Sequence, residues 1–332
     1  MKLELIAFTR QGNALAAHLS QLLQEQGHDA QCTRENLRVE DWAKRAFQRA
    51  EGLIFVGAAG IAVRSIAPCV QHKSKDPAVL VLDEKGQFVI PILSGHLGGA
   101  NDLSRQVATL ISAIPVITTA TDVNHVFSVD QWARRQGLKV VNPEKIVTVS
   151  SKLLAGQPVT WWSRWEIEGT CPQNLVCVQR EQAEIVIDWY QPEQAALWLS
   201  PQKIQAGMGC RKGTAKDSLK TVLQQVITDH GLVLDCVERI CSIDLKAEEQ
   251  GFLELCQEMA VPFETYSPQT LSKVEGKFTA SPFVQTVTGI DNVCERAAMV
   301  NGDTLLVYKY AENGVTVALA AKDPVLSWRN WQ

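Results

Sequence analysis

The sequence lacks several features that would assign it to common classes. Its 332 residues contain no apolar run near the ~20 residues that span a bilayer, and MKLELIAFTRQG at its start carries no signal-peptide cleavage pattern. It also lacks a basic excess, because 32 Lys and Arg face 36 Asp and Glu, which gives a net charge of -4. We therefore expect neither a membrane nor a nucleic acid as partner.

Several catalytic and cofactor motifs are missing too. The nine cysteines include no C-x-x-C pair, which predicts reduced thiols and a cytoplasmic location. Neither dinucleotide nor phosphate-loop fingerprints occur, which disfavours a nucleotide-dependent transferase or dehydrogenase. The absence of H-E-x-x-H and G-x-S-x-G disfavours a zinc hydrolase and a serine-elbow hydrolase.

What the sequence does contain is the alternation of short apolar runs and amphipathic segments that is typical of α/β domains. Residues 1–140 predict an N-terminal α/β domain with a mainly parallel sheet and an inserted hairpin in AVLVLDEKGQFVIPIL, and we expect LKVVN to supply its last strand. Residues 141–201 predict a small strand-rich middle region, and residues 202–332 a C-terminal α/β domain. In the latter, Thr214 and Asp217 have the spacing of a capping box.

The loop SGHLGGAN, Ser94 to Asn101, lies between a predicted strand and a predicted helix. Unpaired amides at a helix start favour an anion, and the glycines would let it approach the backbone. A glycine-rich loop taken alone nevertheless favours the alternative, a tight turn with close helix–strand packing. His96 is either a general acid or base or a loop histidine bonded to backbone.

Two neighbouring strand ends also carry polar residues. After GLIFVGA come the cations Arg64, Lys73 and Lys75, which are either a clamp for carboxylates or a solvated loop. After PVIT come Thr119 and Asp122. We expect these strand ends to share one crevice with the glycine loop.

A second strand, glycine turn and helix start occurs in GMGCRKGT. Arg211 and Lys212 make it a second candidate anion site, with exposed basic residues on a turn as the alternative. Cys210 is either a nucleophile near a helix start or a buried thiol, and the lack of a histidine partner favours the thiol. Glu295 follows another glycine-containing loop and is kept as a candidate acid or base.

Taken in order, GIAVRSIAP, LSGHLGGAN, PVITTATD, GMGCRKGT, SIDLKAEEQG and TGIDNVCERAA resemble the cobalt-precorrin-5A hydrolase family, CbiG, of anaerobic cobalamin biosynthesis. The resemblance runs from Gly52 to Lys322. It implies opening of a δ-lactone on a cobalt tetrapyrrole and release of acetaldehyde, giving cobalt-precorrin-5B. It implies no cofactor, since cobalt arrives in the substrate, and it suggests neighbouring pathway methyltransferases as further partners, with the oligomeric state left open.

For this chemistry we expect His96 to deprotonate a water molecule, with Asp122 or Glu295 sharing the later proton transfers. Backbone amides near Gly98 and Gly99 would stabilise the oxyanion. The predicted substrate-binding residues are Arg64, Lys73, Lys75, Ser94, Gly95, Gly98, Gly99, Asn101, Thr119, Gly209, Arg211, Lys212 and Gly213. The alternative is a tetrapyrrole carrier that holds the same ligand without reacting. An acyl-enzyme on Ser94 or Cys210 is disfavoured by the missing elbow motif.

Overall fold

The computed structural model describes residues 1–33, 38–72, 75–329 and 331, with Phe283 described by its backbone alone. The chain divides into two compact units. The first comprises Met1–Trp132, Leu153–Ala155 and Trp331–Gln332, and the second comprises Ala133–Lys152 and Gly156–Asn330. Across the described ranges, no helix combines the length and the apolar character needed to cross a membrane.

Within its described residues, the first unit contains six strands, five whole α-helices and the beginning of a sixth. The strands are β1 (Lys2–Ala7), β2 (Asp29–Cys32), β3 (Gly52–Val56), β4 (Ala78–Leu82), β5 (Phe88–Leu93) and β6 (Ile114–Pro115). The helices are α1 (Arg10–Glu25), α2 (Val39–Arg49), α3 (Ala59–Ile66), α4 (Ala100–Ile111), α5 (Ala120–Val123) and α6 (Val129–Arg135), the last of which continues into the second unit.

The six strands form one sheet in the order β2-β1-β3-β4-β5-β6, and its two faces are covered by different helices. Alternate residues of β3 pack into opposite layers, because side chains alternate along a strand. Ile54 packs with residues of α1 and α4, whereas Phe55 packs with residues of α2 and α3. This explains why β3 and β4 are uninterrupted apolar runs, as strands covered on both faces are.

Strand direction decides which loops meet. The predicted hairpin is confirmed: β4 and β5 pair antiparallel, with the intervening turn closed by the Asp83 carboxylate, which accepts from the amides of Gln87 and Phe88. Since β6 is parallel to β5, both end at the edge where β4 begins, and β3 ends at the opposite edge. The expectation that all three strand ends share one crevice is therefore wrong.

The described part of the second unit contains twelve strands and six α-helices. The strands are β7 (Leu138–Val140), β8 (Val159–Ser163), β9 (Ile167–Glu168), β10 (Leu175–Cys177), β11 (Ile185–Ile187), β12 (Leu197–Pro201), β13 (Ile204–Cys210), β14 (Val237–Ile243), β15 (Phe263–Tyr266), β16 (Thr304–Glu312), β17 (Val315–Ala321) and β18 (Leu326–Ser327). The helices are α7 (Ile146–Leu154), whose last residues belong to the first unit, α8 (Lys216–Asp229), α9 (Gln250–Met259), α10 (Pro268–Ser272), α11 (Pro282–Thr288) and α12 (Cys294–Met299).

These strands form two five-stranded sheets, ordered β10-β8-β11-β12-β7 and β15-β14-β13-β17-β16, and the pair β18-β9. The strand-rich middle region and the hairpin through Asn313 and Gly314 are confirmed. The prediction that LKVVN forms the last strand of the N-terminal domain is wrong, because β7 pairs antiparallel with β12 of the second unit. The predicted capping box does not form. Helix α8 begins at Lys216, its N-cap residue is Ala215, and the Thr214 hydroxyl donates to the Arg211 carbonyl instead of accepting from an amide of the helix.

Candidate functional site

The first candidate site surrounds His96, in the loop between β5 and α4. Its Nε2 lies 2.9 Å from Oδ2 of Asp122, and its Nδ1 lies 3.2 Å from Oδ1 of Asp130 and 3.0 Å from the Ser128 hydroxyl. The three charged side chains are largely buried, with 12% of His96, 8% of Asp122 and 10% of Asp130 exposed. Both ring nitrogens of the histidine therefore face a carboxylate.

This placement keeps His96 charged at neutral pH. Burial alone would lower the pKa of the imidazole, but its hydrogen bonds and ion pairs with Asp122 and Asp130 outweigh burial and raise the pKa to about 9. Burial alone would raise the pKa of the Asp122 carboxyl, but its hydrogen bonds and ion pairs with His96 and Arg105 outweigh burial and lower the pKa to about 2. A protonated ring cannot accept a proton from water, so the geometry favours a proton donor over the base that the sequence predicts.

Further polar residues fix Asp122. Asn101 donates from Nδ2 to Oδ2 of Asp122 at 2.9 Å and to the Thr119 hydroxyl at 2.9 Å, and Arg105 binds Oδ1. The structure thus brings together His96, Asp122, Asn101 and Thr119, all of which the sequence predicts for the site.

Three members of this cluster are missed by sequence reasoning. Arg105 follows Asn101 by one helical turn on α4, and that spacing could have identified it. Ser128 and Asp130 follow His96 by more than thirty residues and lie at the start of α6 without any motif, so the sequence carries no signal for them.

The amides of the glycine loop are largely used within the loop itself. Gly99 donates to the carbonyl of His96 at 2.9 Å, Ala100 to Ser94 at 3.1 Å and Asn101 to Gly95 at 2.9 Å. These amides are therefore not free to bind an anion, and Gly99 is a poor candidate for an oxyanion hole. The Ser94 hydroxyl, in contrast, is buried without a hydrogen-bond partner among the described residues.

The cations that the sequence predicts upstream of the glycine loop do not all lie near that loop. Arg64 is exposed on α3, which follows the opposite end of the sheet from the glycine loop. Lys75 is exposed just before β4, and the neighbouring carbonyl of Asp76 lies 3.2 Å from the position that a Gly98 Cβ would take. Lys73 lies outside the described residues. Of the two described cations, Lys75 lies at the edge where the loop lies and Arg64 does not.

The second candidate site is a cavity of about 1150 Å³ in the second unit. It opens where β13 and β14 end and where β16 turns into β17, which is the edge of an α/β sheet at which ligands gather. Gly209, Arg211, Lys212 and Gly213, all predicted for substrate binding, line it. Its volume is somewhat above the range of about 300–1,000 Å³ that is usual for small-molecule sites, which suits a large ligand.

The wall of this cavity combines cations with apolar groups. Four basic side chains line it, against three carboxylates: the cations are Arg211, Lys212, Lys246 and Lys309, and the acids are Glu248, Glu249 and Glu312. Leu245 and Val287, which are 66% and 60% exposed, contribute the apolar part together with Val284. Such a surface suits a broad apolar ligand that carries several carboxylates.

Lys246 and Glu249 form an ordered pair at this cavity. The Lys246 ammonium lies 2.9 Å from Oε2 of Glu249, whose Oε1 accepts from the Gly213 amide at 2.6 Å. Glu249 therefore anchors the glycine turn that carries Arg211 and Lys212. Cys210 lies beside Lys246, but burial raises the pKa of its thiol, so the protonated form is favoured at neutral pH.

Glu295 belongs to the second unit and is fully buried near the start of α12. Its two oxygens accept from the backbone amides of Thr279 and Lys309, each at 2.7 Å. The cluster around His96, in contrast, belongs to the first unit.

Comparisons with known proteins agree with these features. Three family models match in order along the chain: Cobalamin synthesis G N-terminal over residues 41–122, Cobalamin biosynthesis central region over residues 127–207, and Cobalamin synthesis G C-terminus over residues 204–320. The fold and these matches define a mixed α/β enzyme of cobalamin biosynthesis. The chain belongs to the cobalamin synthesis G (CbiG) family, as its sequence motifs predict, and it is a hydrolase.

Individual relatives cover nearly the whole chain. It is 35% identical to the cobalt-precorrin-5A hydrolase of Salmonella typhimurium, over 95% of this chain and 96% of that protein. It is 31% identical to the cobalt-precorrin-5A hydrolase of Priestia megaterium, over 95% and 93% of the two chains. A solved structure of a cobalamin biosynthesis protein G homologue from Sulfolobus solfataricus is similar with a TM-score of 0.44 and 20% identity, over 97% of both chains.

Proposed function

We propose that this chain opens the δ-lactone of cobalt-precorrin-5A and releases acetaldehyde, which yields cobalt-precorrin-5B. Two relatives with 31% and 35% identity carry the name of that hydrolase, and they match this chain over 95% of its length. Cobalt is part of the substrate in this reaction, so the protein has to recognise a charged macrocycle. The observation that carries the proposal is the cavity in the second unit, with cations and apolar groups in one wall.

The match between cavity and substrate follows from the chemistry of the tetrapyrrole. Its ring is broad and apolar, and acetate and propionate groups surround its edge. Arg211, Lys212 and Lys309 form no hydrogen bond or ion pair through their side chains within the described residues, so they are available for such carboxylates. Leu245, Val284 and Val287 offer an apolar surface for the ring.

His96 supplies a proton in this proposal. Cleavage of the carbon–carbon bond that frees acetaldehyde leaves an electron pair on the macrocycle, and that carbon has to be protonated. His96 is protonated at neutral pH because Asp122 and Asp130 flank its ring. Asp122 is a positioning residue that fixes Nε2 of the imidazolium and stabilises its charge.

The test is acetaldehyde release from cobalt-precorrin-5A by the purified protein. We expect release by the wild type and a loss of at least about 100-fold in kcat for His96→Gln, which is the usual scale for removal of a general acid. His18→Ala is the matched control, because His18 is exposed on α1. Binding without acetaldehyde release by the wild type would show a carrier and overturn the proposal.

The role of the cavity is tested separately by Arg211→Ala combined with Lys212→Ala. Both residues are exposed, so each contact with a carboxylate is worth about 1 kcal/mol or less, and the pair should raise KM several-fold with kcat little changed. Lys322→Ala, which removes an exposed lysine that does not line the cavity, is the control. An unchanged KM in the double variant would remove the cavity from the proposal.

A further inference from the structure

Glu295 is a buried carboxylate that binds two separate segments of backbone. It is 0% exposed, and Oε2 accepts from the amide of Thr279 while Oε1 accepts from the amide of Lys309. Both distances are 2.7 Å. Neither bond is made within the helix α12 on which Glu295 lies.

Both segments lead into the cavity. Thr279 is followed by α11, from which Val284 and Val287 line the cavity, and Lys309 lines it directly. Lys309 also lies where the pairing of β16 with β17 is irregular: Val307 pairs with Leu319 and Tyr310 with Val317, which leaves an extra residue on β16. The amide of Lys309 is directed at Glu295 at this bulge.

Asn292 forms a second hydrogen bond with the backbone of Thr279. Its side chain, in a residue that is 1% exposed, donates to the Thr279 carbonyl at 2.8 Å and accepts from the Glu295 amide at 2.9 Å. In a capping box, a glutamate at the helix start bonds an amide of its own helix. Here the Asn292 side chain accepts from the amide of Glu295, and the carboxylate of Glu295 binds the two cavity segments instead of its own helix.

The helix that carries Glu295 is itself fixed to the sheet. A Cβ at Gly207 of β13 would lie 1.8 Å from the carbonyl oxygen of Cys294, so only glycine allows α12 to lie this close to β13. β13 continues to Cys210, which lines the cavity. The close packing of α12 against β13 therefore fixes the position of Glu295. From this position its carboxylate binds the segment before α11 and the bulge of β16.

We propose that Glu295 is a positioning residue of the cavity, which keeps α11 and Lys309 in place for the macrocycle without touching it. The relevance to the tetrapyrrole rests on the proposed function of the cavity. The structural part of the inference, that one carboxylate orders both segments, stands independently of any ligand.

The test is Glu295→Gln, which preserves the shape but replaces one acceptor oxygen with an NH₂ group that cannot accept from an amide. We expect amide hydrogen exchange to accelerate in residues 279–289 and 307–310, and KM to rise about tenfold with kcat within about twofold, the scale of one buried hydrogen bond to a charged group. Asp188→Asn is the matched control, because Asp188 is also 0% exposed but follows β11 of the other five-stranded sheet, where it binds Arg164 and Arg180. It should lower stability without changing KM or the exchange of those segments.

Thr279→Pro is a second variant, in case Glu295→Gln fails to fold. It changes an exposed residue and removes one of the two amide donors to Glu295. We expect faster exchange in residues 280–289 and a raised KM. Unchanged exchange in the variant that folds would overturn the inference, as would a loss of kcat with an unchanged KM, which would make Glu295 catalytic. Failure of the wild type to release acetaldehyde would refute the proposed function, and the exchange data would still decide the role of Glu295.

Discussion

Replacing His96 should change how the stability of the protein depends on pH. The ordinary pKa of histidine is 6.5, and the hydrogen bonds of His96 with Asp122 and Asp130 raise it to about 9 although burial opposes them. A pKa difference of 1 between the folded and unfolded states corresponds to about 1.4 kcal/mol, so the protonated histidine contributes about 3 kcal/mol to the free energy of unfolding. His96→Gln removes this contribution and leaves the two carboxylates without their shared cation.

The sign of the effect follows from the raised pKa of His96. A group whose pKa is raised by folding stabilises fully below its unfolded pKa, and the contribution is lost as the pH rises through the folded pKa. The wild type should therefore lose about 3 kcal/mol between pH 6.5 and somewhat above pH 9 because of His96 alone. His96→Gln should not show this component, while the other titrating groups change both proteins alike.

Urea denaturation across this pH range, with His18→Ala as control, measures the difference. NMR titration of the His96 ring carbon gives the pKa directly. A titration midpoint near 6.5 would refute the reasoning, as would the same loss of stability in His96→Gln and in the wild type.

Four further predictions concern the same sites. Asp122→Asn should move the titration of His96 down towards 6.5 by NMR, because it removes one of the two charges that raise its pKa. If His96 donates a proton, kcat should be level up to about pH 8 and fall as the pH passes about 9, and an unchanged rate at pH 10 would contradict that role. Gly207→Ala should lower the melting temperature by several degrees or prevent folding, because the new Cβ would lie 1.8 Å from the Cys294 carbonyl oxygen. Cys210→Ser should retain most acetaldehyde release, since burial raises the pKa of the thiol, and a complete loss would revive an acyl-enzyme route.

The elements that the sequence predicts well are those encoded locally. Asp83 to Gly86 and Asn313-Gly314 are turn residues between apolar runs, and both form hairpins with antiparallel partners next in sequence. The sequence assigns β7 to the wrong sheet because its partner β12 is nearly sixty residues further along. A strand of only three residues, Leu-Lys-Val, carries no information about which sheet it joins.

The site is predictable in its members but not in its geometry. His96 and Asp122 are both identified because they follow strands, and the strand directions place them 2.9 Å apart. The second carboxylate that keeps His96 charged belongs to Asp130, and no sequence pattern identifies that residue. The base role stays a prediction, and the raised pKa of His96 favours a proton donor instead, since the surroundings of an imidazole set whether it gives or takes a proton.

The glycines of the two motifs show why a motif can be specific without binding the ligand itself. Gly98 is predicted to let an anion approach the backbone, but a Cβ there would lie 2.4 Å from the Cβ of Ser94, an atom of the protein itself. Gly207 likewise faces the backbone of α12. Both glycines thus meet a packing requirement, and the chemistry belongs to the side chains that this packing positions. Substituting a glycine would abolish activity under either interpretation, so only substitutions such as His96→Gln and Glu295→Gln distinguish proton transfer from positioning.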